Sequence, residues 1–171
     1  MIETRKGDVL NQTITKPIFI VHGCNAQGVM GSGIALQIKT KYPEAYLAYK
    51  NEKKLKLGTC IPIAIKNNLT IINAITQEYY GRNPNIRYVD YEAIRSCFHE
   101  IDKMAAQFAY KALSNTMKQN QHNTSPNLID YLPEIHFPMI GAGLANGDWN
   151  IISKIIDEVV SEYTKKVLWV L

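Results

Sequence analysis

Short, wholly apolar runs alternate along this chain with stretches in which apolar residues return every three or four positions, and the two patterns predict strands and helices in turn. Ile18-Phe-Ile-Val21 is too short for a buried helix and apolar on both faces, as a strand inside a parallel sheet is. Ile34, Ala35, Ile38 and Tyr42 then give a helix one apolar face until Pro43, after which Ala45–Asn51 resumes it. Gly58–Ile65 and Leu69–Ile75 flank the polar Lys66-Asn-Asn68, which predicts a hairpin. From Tyr88 to about Leu113, Tyr91, Ile94, Phe98, Ile101, Ala105 and Phe108 mark a long amphipathic helix. Glu134–Ile140, Trp149–Tyr163 and Val167–Leu171 close the chain as strand, helix and strand, and Ile2–Arg5 opens it as a strand.

Alternation of this kind over 171 residues predicts one domain, 1–171, folded as a three-layer α/β/α sandwich whose hairpin makes the central sheet mixed. Glu78–Arg87, polar and aromatic with Gly81 and Pro84, is expected to be a loop able to cover a site. Ser114–Asp130, rich in Asn and Gln, is expected to be a mobile insertion within the domain.

Two glycine-rich loops fall between a strand and a helix. The first runs from His22 through Gly28, Gly31 and Gly33 into the helix at Ile34; the second is Gly141-Ala-Gly-Leu-Ala-Asn-Gly-Asp148. Glycines let backbone N–H groups approach a ligand with no Cβ between, and the helix N-terminus behind them adds positive dipole. Both loops at one sheet edge would suit the two sides of a diphosphate. Neither famous phosphate fingerprint fits, because Ile34 stands where a Walker A loop needs lysine and Leu36 where a dinucleotide fingerprint needs its third glycine. A cysteine phosphatase is excluded in the same way, since Met30 replaces the arginine six residues after Cys24.

The remaining composition narrows the class. Hydrophobic residues at 46% and charged residues at 20% describe a globular protein. With no apolar run of membrane length and no secretory pattern in Met1–Lys6, the expectation is a cytoplasmic protein with no membrane partner. Three scattered cysteines, Cys24, Cys60 and Cys97, predict reduced thiols and no metal site. Much of the formal charge of +4 comes from Lys39, Lys41, Lys50, Lys53, Lys54 and Lys56, either a solvated helix face or a basic rim attractive to polyphosphate or nucleic acid.

Individual residues admit two readings. Asp8 either caps the turn after the first strand or accepts an amine from a ligand base. His22 reads as the end of an apolar strand at the lip of the first loop, where it either exchanges protons near neutral pH or is a satisfied structural group. Asp148 is its natural partner or the N-cap of the last helix. His99 and His122 read as surface residues and His136 as structural, while Tyr79, Tyr80 and Trp149 serve packing or stack on a ribose or base.

Lys6-Gly-Asp-Val9, the first loop from His22 to Ala35, and Pro138 through Trp149 together resemble the macrodomain family, over nearly the whole chain apart from 114–130. The likeness is greatest to the small phage and fungal-type ADP-ribose-1″-phosphate phosphatases. It implies that Asp8 accepts the adenine amino group, Val9 lines the base pocket and Asn25 contacts the distal ribose. It also implies that Gly31, Ser32, Gly33 and Ile34 wrap the diphosphate and distal ribose from one side and Gly141, Ala142, Gly143, Leu144 and Ala145 from the other. The implied activity is hydrolysis of ADP-ribose-1″-phosphate to ADP-ribose and phosphate, without metal or cofactor. His22 would be acid or nucleophile and Asp148 the water-orienting base. The alternatives are removal of ADP-ribose from modified protein or nucleic acid, making ADP-ribosylated macromolecules the partners, and a non-catalytic reader. Relatives that remove ADP-ribose use a lysine after a central strand and an acid in the second loop, where this chain has Thr76-Gln-Glu78 and Ala145.

Overall fold

A computed structural model describes residues 1–119 and 126–171. Its centre is a six-stranded mixed sheet of β1 (Ile2–Lys6), β2 (Ile18–Asn25), β3 (Cys60–Lys66), β4 (Leu69–Gln77), β5 (Glu134–Phe137) and β6 (Lys166–Val170), in spatial order β1-β6-β5-β2-β4-β3. Every pairing is parallel except that of β3 with β4, the predicted hairpin, which puts an antiparallel strand at one edge.

Helices cover both faces, as a parallel sheet requires. α1 (Gly33–Lys41) and α2 (Pro43–Asn51) bury Ile38, Ala45 and Tyr49 on one side, against Ile18, Ile20, Ile71 and Ile75 of the sheet. α3 (Tyr91–Gln119) and α4 (Trp149–Val159) cover the other. There the α3 stripe Ala93, Ile94, Cys97, Phe98, Ile101, Ala105 and Ala109 is wholly interior, at the spacing of one helix face. Edge-to-face pairs Phe19–Phe108 at 5.7 Å and Phe98–Phe137 at 5.6 Å seat it on the sheet. The α/β three-layer architecture expected from the alternation is thus the one observed.

Element ends differ from the sequence expectation for local reasons. α3 continues to Gln119, so residues 114–119 of the expected insertion are its last turns, and Leu128–Tyr131 form a short 3₁₀ turn. The middle of that segment, with His122, lies outside the described residues. β5 stops at Phe137 because Pro138 offers no N–H to continue a ladder. α4 stops at Val159, ahead of a turn in which the Ser161 N–H donates to Asp102 Oδ1 (3.0 Å). β6 begins at Lys166, a buried lysine whose ammonium reaches Asp157 Oδ1 (3.1 Å) and the Val160 carbonyl (3.2 Å). Among the described residues no helix is long and apolar enough to cross a membrane.

The largest departure is β2, which does not end at Val21 but runs on through His22-Gly-Cys-Asn25 beside β4. Gly23 makes this possible, since a Cβ there would stand 2.8 Å from Thr76 Oγ1. His22 therefore sits inside the sheet, fully buried, on the face covered by α1 and α2. Its Nε2–H donates to Asn73 Oδ1 (2.6 Å), and Asn73 Nδ2 donates in turn to the Ala45 carbonyl of α2 (2.9 Å). The chain of two bonds fixes β2, β4 and α2 to one another. Burial holds the imidazole pKa down at about 4, with the Asn73 bond opposing the shift.

His22 is thus neutral when folded and protonates near pH 6.5 when unfolded, so the unfolded chain binds more protons between those values. The stability that this difference confers is complete above pH 6.5 and falls with pH through the window, the loss reaching about 3 kcal/mol at its lower end. His136, also buried and shifted down, acts in the same direction. Urea unfolding midpoints measured from neutrality down to about pH 4.5 should fall steadily in the wild type. His22→Gln, which keeps a donor but cannot titrate, should remove part of that fall; an unchanged pH slope would contradict the burial.

Candidate functional site

The sheet's parallel strands all point their C-terminal ends the same way, and both glycine loops emerge there. Loop one follows β2. Its frame is Asn25, whose Oδ1 accepts from the Gln27 N–H (3.0 Å) and Val29 N–H (3.2 Å) while its Nδ2 donates to the Val29 carbonyl (2.8 Å). The buried Tyr49 hydroxyl donates to the Asn25 carbonyl (2.6 Å), with Oδ1 2.9 Å away. Asn25 is 7% exposed and shapes the loop from within.

From this frame the loop crosses Gly28 at φ 76°, reaches Gly33 at φ 55° and enters α1. Both glycines adopt backbone that other residues resist. Ser32 is the N-cap, yet its side chain makes no capping bond, so the N–H groups of the first helical turn have no partner from it.

Loop two starts at Gly141, φ 74°, and is tied into a tight coil by the Asn146 N–H donating to Gly143 O (2.9 Å) and Gly147 N–H to Gly141 O (2.8 Å). Gly147 must be glycine, because a Cβ would come within 2.6 Å of both the Gly141 carbonyl and Val89 Cγ1. The buried Ala145 carbonyl accepts from the N–H groups of Tyr88 (2.9 Å) and Val89 (3.2 Å). Asn146 Nδ2 donates to the carbonyls of Asn83 (2.9 Å) and Ile86 (2.7 Å). These bonds join the Glu78–Arg87 loop to loop two.

Two glycines are different in kind. Gly31 and Gly143 have no left-handed backbone, and a Cβ on Gly31 would meet only Val29 at an ordinary 3.6 Å, while one on Gly143 would meet nothing within 4 Å. The fold does not need glycine at either place. One in each loop, both are exposed and carry no side chain to cover the backbone beside them.

The sequence-predicted residues divide accordingly. Gly31, Ser32, Gly33, Gly143 and the exposed Leu144 present open surface, whereas Val9, Asn25 and Ala145 are buried supports and Ile34 and Ala142 pack partly on the core. Asp8 caps the turn Val9–Asn11, with Oδ1 accepting from Leu10 N–H (2.8 Å) and Oδ2 from Asn11 Nδ2 (2.8 Å). It also borders a groove of about 380 Å³ that Leu10, Leu36, Gln37 and Thr40 line with it. Asp148 caps α4 through the Asn150 N–H (2.8 Å) and is exposed. The position expected for His22 is corrected: it is not at the lip of loop one but beneath the α1–α2 layer. His136 is an interior histidine, between Glu134 Oε2 (2.9 Å) and the Trp169 indole N–H, which donates to its Nδ1 (3.1 Å).

Asn73, Tyr49 and Asn146 were missed as supports of the site. Asn73 carried a signal, as the polar residue inside Ile71-Ile-Asn-Ala74. Tyr49 carried none beyond packing, because its hydrogen bond crosses from α2 to β2.

Known proteins resemble this chain in sequence or fold. An uncharacterised protein of Enterobacteria phage T4 is 28% identical over 147 residues, 84% of this chain and 80% of that protein. The ADP-ribose 1″-phosphate phosphatase of Candida glabrata is 26% identical over 175 residues, 95% of this chain and 92% of its own. The DNA ADP-ribosyl glycohydrolase of Mycobacterium tuberculosis is 31% identical over 96 residues, only 53% of this chain and 26% of that protein. A macrodomain protein from Streptomyces coelicolor superposes with a TM-score of 0.72 at 20% identity, covering 100% of this chain and 99% of that one, a likeness of fold. The Macro domain family model matches residues 21–156, from within β2 to within α4 and so across both glycine loops, and the chain belongs to that family.

Proposed function

We propose that the chain binds ADP-ribose between its two glycine loops and hydrolyses the phosphomonoester of ADP-ribose-1″-phosphate. The observation that carries the reading is the pair Gly31 and Gly143, glycines that no backbone angle or neighbour in the fold demands. A diphosphate between them accepts hydrogen bonds from N–H groups of both loops and of the start of α1, and from the Ser32 hydroxyl, which makes no capping bond. The base lies in the groove bordered by Asp8, with Val9 behind it. The likeness to the fungal phosphatase, which extends over nearly the full length of both chains, supports the substrate.

In the reaction, water adds to phosphorus as the bond from phosphorus to the anomeric oxygen breaks, and the departing oxygen takes a proton from solvent water, giving ADP-ribose and phosphate. The loop N–H groups stabilise charge on the phosphoryl oxygens, as fixed donors do where charge develops. Asp148 keeps one carboxylate oxygen beyond its cap bond and orients the water, taking its proton. His22, without a path to the ligand in this structure, acts as a positioning residue through Asn73. The de-ADP-ribosylating alternative has the partial likeness to a DNA ADP-ribosyl glycohydrolase in its favour. Against it, Thr76-Gln-Glu78 supplies no lysine and the acid position of loop two is the buried Ala145.

Gly143→Val should weaken ADP-ribose binding by about tenfold or more in a calorimetric titration, with the urea midpoint unchanged. Equal loss of stability would return Gly143 to the fold. For the chemistry, phosphate release from ADP-ribose-1″-phosphate is followed in chelator. Asp148→Asn should lower kcat by about a hundredfold or more while ADP-ribose affinity holds. His22→Gln should lower kcat only a few-fold and leave the profile between about pH 5 and 8 unaltered. Release abolished in His22→Gln with binding intact would instead give His22 direct contact with the phosphoryl group.

A further inference from the structure

The six lysines between positions 39 and 56 face only Glu44 and Glu52 in that stretch, so this segment alone carries the +4 of the chain and the remainder is balanced. Lys50, Lys53, Lys54 and Lys56 are exposed, in the last turn of α2 and the connection to β3. None of the ion pairs among the described residues engages any of the four. The end of α2 and the connection pack on loop one: Lys50 Nζ and Leu55 Cδ1 stand 3.6 Å and 3.9 Å from where a Cβ on Gly28 would be.

Loop one is also bonded to the end of β4 and the residue after it. Ala26 N–H donates to the carbonyls of Gln77 (2.9 Å) and Glu78 (3.2 Å), and Gln27 Nε2 to the Glu78 carbonyl (3.1 Å). Directly after them come Tyr79 and Tyr80, exposed to 65% and 56% and outside every core cluster. Loop one thus touches both a run of exposed lysines outside the ion pairs of the described residues and the segment that leads directly into two exposed tyrosines. Glu52 and Glu78 are the only acids among residues 50–56 and 77–80.

Cations that follow a phosphate backbone, beside aromatic faces on which bases stack, are what sequence-tolerant binding of unpaired strands requires. An acidic protein segment would use the charge and leave the rings idle. We infer that this rim of loop one is a docking surface for single-stranded nucleic acid, with phosphates on Lys50, Lys53, Lys54 and Lys56 and bases on Tyr79 and Tyr80. The surface is additional to the reaction proposed above, which uses the cradle between the loops and the groove bordered by Asp8.

The test is fluorescence anisotropy of a labelled single-stranded DNA of about 12 nucleotides. Wild-type protein should bind it at about 50 mM salt, and four phosphate contacts should weaken binding about fiftyfold by 200 mM. Lys53→Glu with Lys54→Glu should cost at least about tenfold, with ADP-ribose binding to the same sample intact as the control for folding. Tyr79→Ala with Tyr80→Ala should erase the preference for single strand over duplex. The inference is overturned if wild type fails to bind at the lower salt, if the lysine pair has no effect, if duplex binds as tightly, or if polyglutamate competes as well as unlabelled strand. ADP-ribose binding without strand binding sinks this inference alone; strand binding without ADP-ribose binding leaves it standing and sinks the proposed ligand.

Discussion

Parallel pairing of β2 between β5 and β4 is the constraint on which the rest of the molecule depends. Parallel neighbours cannot be joined by a tight turn, so each connection must cross a face of the sheet, and helices carrying their own hydrogen bonds are what can do so without stranding backbone groups. Both faces of the central strands are then closed to water. The same geometry brings the chain out of β2 and of β5 at one edge, where a turn into a helix leaves N–H groups without partners. A site for an anion arises there because a fully covered parallel sheet has few other places to leave polar backbone exposed.

Burial on both faces also dictates the fate of polar residues within the central strands. His22 and Asn73 occupy facing positions in β2 and β4, and each supplies what the other lacks: a donor to an amide oxygen, and a link onward to α2. An unpaired imidazole at this depth would be costly, and the bond to Asn73 makes it tolerable while its charge stays suppressed. The support of loop one works likewise, since Asn25 holds the turn and Tyr49, reaching from α2, holds Asn25. The α1–α2 layer is therefore both a cover for the core and the scaffold that fixes where the open glycines stand.

The glycines show how one residue type answers to separate demands. Gly23 and Gly147 are set by close approach of neighbouring atoms, and Gly28, Gly33 and Gly141 by left-handed backbone. Gly31 and Gly143 answer to neither. Only the tertiary structure sorts them, since in the sequence all seven lie in or next to the same two loops.

What the sequence determined by itself was whatever depends on near neighbours. Strand and helix alternation gave the three-layer class, the Lys66–Asn68 hairpin gave the mixed sheet, and the clustered glycines marked both loops, because periodicity and turn chemistry act over a few residues. Tertiary structure alone decided the depth and partners of single side chains. A strand buried on both faces has no alternation to show which way His22 points, so an apolar run followed by His-Gly read as a strand ending at a loop when it was a strand continuing inward. Lys166, beside the exposed Lys165, gave no sign that it would lie in the interior against Asp157, because its partner comes from a different element. Those contacts join residues far apart in the chain, and only the packing of the layers brings them together.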